Sequence, residues 1–152
     1  MESLTEIREA VREDIDIITG FQKAMAWETE QMSLDEATLM SGVEAVFRDR
    51  SKGTYFVALS EGEIVASLLI TYEWSDWRNR NVWWIQSVYV VPGARRRGIF
   101  TAMYRHISKE SSARGAAGLR LYVESGNRDA RRTYESLGMD SSHYTMYEHM
   151  TP

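Results

Sequence analysis

Apolar positions recur at two spacings along this chain, and the changes between them mark out the elements. Leu4 to Glu9 alternates weakly and predicts a short strand. From Arg12 to Glu28, Ile15, Ile18, Phe21 and Met25 fall at steps of three or four, with Ile17 and Ala24 beside them. That period belongs to a helix with one apolar face. Leu34, Ala37, Met40, Val43 and Phe47 repeat the pattern after Ser33, which reads as an N-cap with Glu36 completing a capping box. Gly53 ends that unit. Thr54 to Ser60 is β-branched and aromatic, and Ile64 to Glu73 follows a Glu61-Gly62-Glu63 turn, so the two predict a hairpin. After a polar turn from Ser75 to Arg80, Asn81 to Val91 is apolar on both faces and predicts an interior strand closed by Pro92-Gly93. A helix from Gly98 to Arg114 carries Ile99, Met103 and Ile107 on one face. Leu119 to Val123 predicts a strand. Arg128 to Leu137 predicts a helix, with Asn127 as N-cap and Gly138 just past its end. Tyr144 to Met150 predicts a final strand. The order βααβββαβαβ implies an α+β or mixed α/β fold around one central sheet. No repeat, low-complexity tract or linker divides the 152 residues, which predicts a single domain over 1–152.

Composition narrows the chemistry. The chain has no cysteine, which excludes a disulfide framework, thiolate catalysis and thiolate-held zinc or iron–sulfur clusters, and fits a reducing, cytoplasmic setting. No run of about 18 apolar residues exists to span a membrane. The acidic stretch from Met1 to Asp16 does not read as a signal peptide. His106, His143 and His149 lack the spacing of metal ligands, so no metal is expected. The net charge of −4 is unevenly spread. Between Arg95 and Arg132 ten Lys/Arg face three Asp/Glu, leaving eight Lys/Arg against nineteen Asp/Glu elsewhere. A mildly acidic protein thus carries one basic segment, which points to an anionic ligand there.

That ligand has a candidate site. The interior strand ends at Pro92 and an arginine-rich loop, Arg95-Arg96-Arg97-Gly98, opens the next helix. Helix-start amides have no internal partners and the helix dipole favours anions, while arginines add bidentate donors. Gly98 lets backbone approach a ligand closely. The pattern is neither a Walker loop nor the Gly-x-Gly-x-x-Gly dinucleotide fingerprint. It predicts a phosphate or pyrophosphate cradle.

Arg95-Arg96-Arg97-Gly98-Ile99-Phe100, after Val90-Val91-Pro92, resembles the acetyl-coenzyme A signature of the GNAT N-acetyltransferase superfamily, Arg/Gln-x-x-Gly-x-Gly/Ala. It departs from that signature at Phe100, where a small residue is usual, and at Arg96, where Gly is frequent. The stretch from Asn127 to Met139 is similar to the family's later motif, Asn-x-x-Ala-x-x-x-Tyr-x-x-x-Gly-Phe, with Met139 in place of Phe. The resemblance implies a GNAT-like fold, a central mixed sheet with about four helices, and acetyl-coenzyme A as cofactor. It further implies that amides from Arg95 to Thr101, among them those of Gly98, Ile99 and Phe100, bind the pyrophosphate. Val88, Tyr89 and Val90 would hold the pantetheine arm, with Asn127 and Ala130 beside the cofactor. The Tyr134 hydroxyl would protonate the departing thiolate. The implied activity is acetyl transfer to a primary amine of a small molecule or peptide by direct attack, with a strand amide near Val90 polarising the carbonyl. Relatives also allow a homodimer.

The base stays open. Many relatives place a carboxylate on the strand that here runs Asn81 to Val91, and this strand has Gln86 and Ser87 in that region instead. Three carboxylate sources remain for the base, Glu73 at the end of the preceding strand, Asp76 in the turn after it, and Glu28 and Glu30 at the end of the first helix, with Glu73 the one named as catalytic. Glu28, Glu30, Trp74, Asp76, Gln86 and Ser87 are candidates for binding the acceptor. Glu28 and Glu30 would converge only if the first helix ends before them. Trp83 and Trp84 must point to opposite sheet faces. A non-catalytic coenzyme A-binding or sensing module is the alternative reading, since no base is evident. Net acidity argues against a nucleic-acid partner for the arginine run.

Overall fold

The computed structural model describes residues 5–152, so Leu4 of the first strand candidate lies outside the described residues. Residues through Leu121 form one compact unit and Tyr122–Pro152 a second. In the first unit β1 (Thr5–Glu9), β2 (Thr54–Ser60), β3 (Glu63–Ser75), β4 (Arg80–Val90) and β5 (Gly118–Arg120) form a sheet in sequence order. Three antiparallel pairings are followed by one parallel pairing, β4 with β5. The helices are α1 (Ile15–Glu30), α2 (Glu36–Arg48) and α3 (Ile99–Ala113).

The sheet is buried on both faces, which accounts for the two-sided apolar character of β4. On one face Ile99, Met103 and Ile107 of α3 meet Phe56, Leu68, Ile70, Trp83 and Ile85. On the other Ile15 and Ile18 of α1 and Val43 and Val46 of α2 meet Tyr55 and Val57. Trp83 is buried in the first layer. Its neighbour Trp84 is half-buried on the opposite face.

Several boundaries differ from the sequence expectation. Asp35, not Ser33, caps α2, because its Oδ2 accepts from both the Thr38 N–H (3.0 Å) and the Thr38 hydroxyl (2.6 Å). The first helix begins with a short 3₁₀ turn, Arg12–Asp14, and runs on to Glu30. Glu28 and Glu30 therefore both lie on the helix and point different ways rather than converging. The strand expected over Leu119–Val123 is shortened to Gly118–Arg120. The final strand expected over Tyr144–Met150 does not form: these residues have no regular secondary structure, and Tyr144, Met146, Tyr147 and Met150 are exposed. Aromatic and apolar content favours a strand, but a strand forms only with a partner to complete its hydrogen bonds. The second unit holds one helix, α4 (Arg128–Ser136), with the Asn127 side chain accepting from Ala130 N–H as expected. Gly138 follows at φ 89°, a left-handed turn suited to glycine.

At the start of α1 the nearly buried Asp14 is gripped by Arg8 at 2.8 and 3.3 Å and by the Val11 N–H at 2.8 Å. Burial pushes its carboxyl up, but the Arg8 hydrogen bond, the Val11 N–H and the Arg8 charge together bring it below the ordinary value. A folded-state value below the unfolded one adds stability above the unfolded value, near ~3.9, and that stability is lost as pH falls through the folded value. Asp14→Asn should therefore be less stable than the parent at pH 7, and urea unfolding should show the gap narrowing as the pH drops below about 4.

Candidate active site

The site is built around the far end of β4. Its parallel ladder with β5 covers only Val82 to Trp84, ending at the Trp84–Arg120 pair. From Ile85 onward that edge of β4 has no strand partner among the described residues. Opposite, the pairing with β3 shifts register: Ser67 faces Tyr89 and Leu69 faces Gln86, so Ser87 and Val88 together oppose Leu68. This is a β-bulge, and Ser87 adopts φ 53° within it. A bulge re-aims the strand beyond it and increases the local twist.

Alternation then sets which way the backbone points. Val91 N–H donates to Val65 O on β3 at 2.9 Å. The N–H and C=O of Val90 consequently face the other, open edge. The Val90 carbonyl there accepts from Arg95 Nε at 2.8 Å. The Val90 N–H shares that edge.

Beyond β4 a 3₁₀ turn, Pro92–Ala94, leads into the arginine loop. Arg96 takes φ 64° and Gly98 φ 75°. The left-handed Arg96 stands where glycine is frequent in the resembling motif, which gives that preference a backbone cause. Ala102 N–H is the first to donate back into α3, to Gly98 O at 3.0 Å. The amides ahead of it lie before the helix ladder, as at any helix start. Phe100, in the first turn of α3, packs against the core, with its ring 6.3 Å from Tyr104. Its bulk is thereby taken by the apolar layer.

The three arginines are not equivalent. Arg95 turns back: besides the Val90 carbonyl, it bridges to Glu28 at 3.1 and 3.3 Å and lies over the Tyr89 ring at 5.5 Å. The Tyr89 hydroxyl, with Arg95 behind it, holds the Glu28 carboxyl below the usual range. Burial and the Glu28 carboxylate push the Tyr89 phenol up. Phe21 of α1 lies 5.2 Å from Tyr89 and completes a clasp between the end of α1 and the end of β4. Arg96 and Arg97 are exposed beside Gly98.

A second polar group sits on the α1-side face, at the fork where β4 and β5 part. Trp84 Nε1 donates to Glu73 Oε1 at 3.0 Å, and Arg120 Nη1 donates to the same oxygen at 2.6 Å. These two bonds hold the Glu73 carboxyl below the ordinary value. Gln86 Nε2 donates to Thr71 Oγ1 at 2.6 Å on the same face. Trp74 and Asp76 lie at the other end of β4, near the β3–β4 turn, where Trp74 is 61% exposed. Asp76 Oδ1 accepts from the Trp77 N–H, which ties it to the turn itself.

Within the second unit Asn127 is occupied as the α4 cap, Ala130 lies in the first turn, and Tyr134 is half-buried. Burial pushes the Tyr134 phenol above its ordinary value.

A family model described as "Acetyltransferase (GNAT) family" matches residues 17–139, most of the chain. The chain belongs to the GNAT acetyltransferase family. It is similar to the crystal structure of a possible acetyltransferase from Clostridium difficile 630, with 45% identity, 98% of this chain and 99% of that one covered, and a TM-score of 0.89. A thialysine N-epsilon-acetyltransferase of Mus musculus is 32% identical over 82 residues, 51% of this chain and 48% of that protein. The match thus spans about half the length of that curated relative. An aminoglycoside N-acetyltransferase crystallised with CoA shares the fold, at TM-score 0.80 and 13% identity over 99% of this chain and 97% of that one.

Sequence reasoning missed two features of this GNAT chain. The bulge at Ser87 has no residue signature, since serine rarely takes a left-handed φ. The Arg95–Glu28 clasp joins residues 67 apart, and no local pattern reaches that far.

Proposed function

We propose that this GNAT chain is an acetyl-CoA-dependent N-acetyltransferase acting on a primary amine of a small molecule or peptide. The observation that carries the reading is the open edge of β4, with the Val90 N–H on it, running straight into the arginine loop and the start of α3. A strand edge offers hydrogen bonds to the amide groups of a pantetheine arm, and Val88, Tyr89 and Val90 are assigned to it. The loop and helix start offer amides and charge to a pyrophosphate. Arg96, Arg97, Gly98, Ile99, Phe100 and Thr101 are assigned there, with Asn127 and Ala130 beside the cofactor by their motif. Arg95 braces the strand end through Glu28 and Val90. Acetyl-CoA supplies an activated acetyl thioester.

Val90 N–H is the donor assigned to the acyl oxygen, where charge develops as an amine attacks. Tyr134 holds the proton for the departing sulfur. Its raised value keeps the phenol protonated at neutral pH, the state a general acid needs. Glu73 is held ionised, whereas a base works best with a value near the operating pH, so we assign it to holding a cation. The amine gives up a proton to water to attack as the neutral form. The curated relative's name gives the ε-amine of thialysine as its acceptor, which supports an aliphatic primary amine here.

A screen of amines, polyamines, amino acids and peptide N-termini with acetyl-CoA, read by thiol release, should find at least one acceptor turned over. Coenzyme A binding with no acceptor turned over would favour the non-catalytic module instead.

A further inference from the structure

Arg95 holds a group that the cofactor also needs, an inference that rests on the acetyltransferase reading. The Val90 carbonyl faces the open edge of β4, the edge assigned to the pantetheine arm, and Arg95 Nε donates to it at 2.8 Å. A ligand that adds to a strand edge places its amide N–H groups on the carbonyls of that edge. The pantetheine arm carries such amides. At 2.8 Å, Arg95 Nε takes the position that a paired amide would fill on Val90.

Arg95 is kept there by partners outside its own loop. Its Nη2 donates to both Glu28 oxygens, at 3.1 and 3.3 Å. Its guanidinium lies over the Tyr89 ring at 5.5 Å, and the Tyr89 hydroxyl bonds the same Glu28 carboxylate. The contact spans 67 residues and ties the end of α1 to the start of the arginine loop. The Arg95 and Glu28 side chains are 45% and 36% exposed, so water screens the pair and its exchange costs little.

Charge sets the direction of that exchange. Arg95 is followed at once by Arg96 and Arg97, and among the three it is Arg95 that Glu28 neutralises. A pyrophosphate at this loop brings more negative charge than one carboxylate, and a guanidinium binds phosphate oxygens in pairs through its planar fork. We propose that Arg95 changes partners as the cofactor binds, leaving Val90 and Glu28 for the pyrophosphate, so that Glu28 opposes cofactor binding by holding Arg95 on the β4 edge. The exchange releases the Val90 carbonyl to a pantetheine amide and gives the phosphates a third arginine. It also removes the cation from the clasp, leaving the Tyr89 hydroxyl and the Phe21–Tyr89 contact to hold the end of α1. Glu28 thereby acts on the cofactor side of the site, through Arg95.

Calorimetry of coenzyme A reads this without an acceptor. Glu28→Gln keeps the length of the side chain and loses its charge. It should bind coenzyme A about twofold to fivefold more tightly than the parent, the range set by a half-exposed ion pair. A clasp that served the bound state would give the opposite sign. In an Arg95→Met background the same substitution should leave the affinity unchanged, because the effect of Glu28 passes through Arg95. Circular dichroism shows that the variants are folded. A crystal structure of the coenzyme A complex should show Arg95 on the pyrophosphate and a pantetheine amide on the Val90 carbonyl. Equal or weaker binding by Glu28→Gln, a gain that persists in Arg95→Met, or Arg95 still bonded to Val90 in the complex would overturn the proposal. A parent protein that does not bind coenzyme A would instead count against the acetyltransferase reading.

Discussion

Tyr134→Phe should lower turnover about 10²–10⁴-fold and leave coenzyme A affinity unchanged, the range that a positioned general acid contributes. The substitution keeps the ring and removes only the hydroxyl. Tyr134 is half-buried on the helix capped by Asn127, and phenylalanine keeps the ring's shape, so its packing should survive. Burial raises the phenol, which means that the proton-bearing form persists at neutral and mildly alkaline pH. Activity limited by this group should therefore fall only at a pH above the ordinary phenol value of ~10. Steady-state kinetics with the acceptor found by screening, together with calorimetry of coenzyme A, separates the two effects. A variant with undiminished kcat would remove Tyr134 from the mechanism.

Much of the architecture is legible in residue spacing because it depends on local periodicity. The faces of α1, α2 and α3, the β2–β3 hairpin and the interior character of β4 all follow from which positions are apolar. The Asn127 cap and the Gly98 and Gly138 turns are local too. The failures are of a different kind. Ser33 reads as the cap from its spacing to Glu36, and only the Thr38 contacts give that role to Asp35. Tyr144 to Met150 has the residue types of a strand but stays exposed and irregular, and composition carries no information about partners.

The site divides along the same line. The arginine loop is contiguous in sequence, so its place at the start of α3 is legible. The opposed fates of Arg95 and its neighbours are not, because they depend on Glu28 sixty-seven residues away. Glu73 is legible as a carboxylate at the end of the strand before β4, but its low value depends on Trp84 and Arg120, which only the sheet brings to it. The neighbours of a carboxylate, and not its residue type, thus set its protonation behaviour.

Charge reversal in the arginine loop carries the other large effect. Arg97 is exposed one residue before the left-handed Gly98, at the mouth of α3. A hydrogen bond to a charged group contributes about 1.5–3 kcal/mol. Since 1.4 kcal/mol is about a factor of ten, losing that bond weakens binding about tenfold to a hundredfold. Glutamate also adds repulsion toward the phosphates, which pushes the loss to the upper end or beyond. The fold should be unaffected, because Arg97 is exposed and belongs to neither core layer. Arg95→Met differs in kind: it also frees the Val90 carbonyl and Glu28, so it disturbs the strand end as well as the charge.

Calorimetric titration of acetyl-CoA into the parent protein and into Arg97→Glu tests the central claim most directly. Saturable one-site binding in the parent, weakened about a hundredfold in the variant, is the expected result. No binding in the parent, or the same Kd in both proteins, would contradict the assignment of this loop to the cofactor.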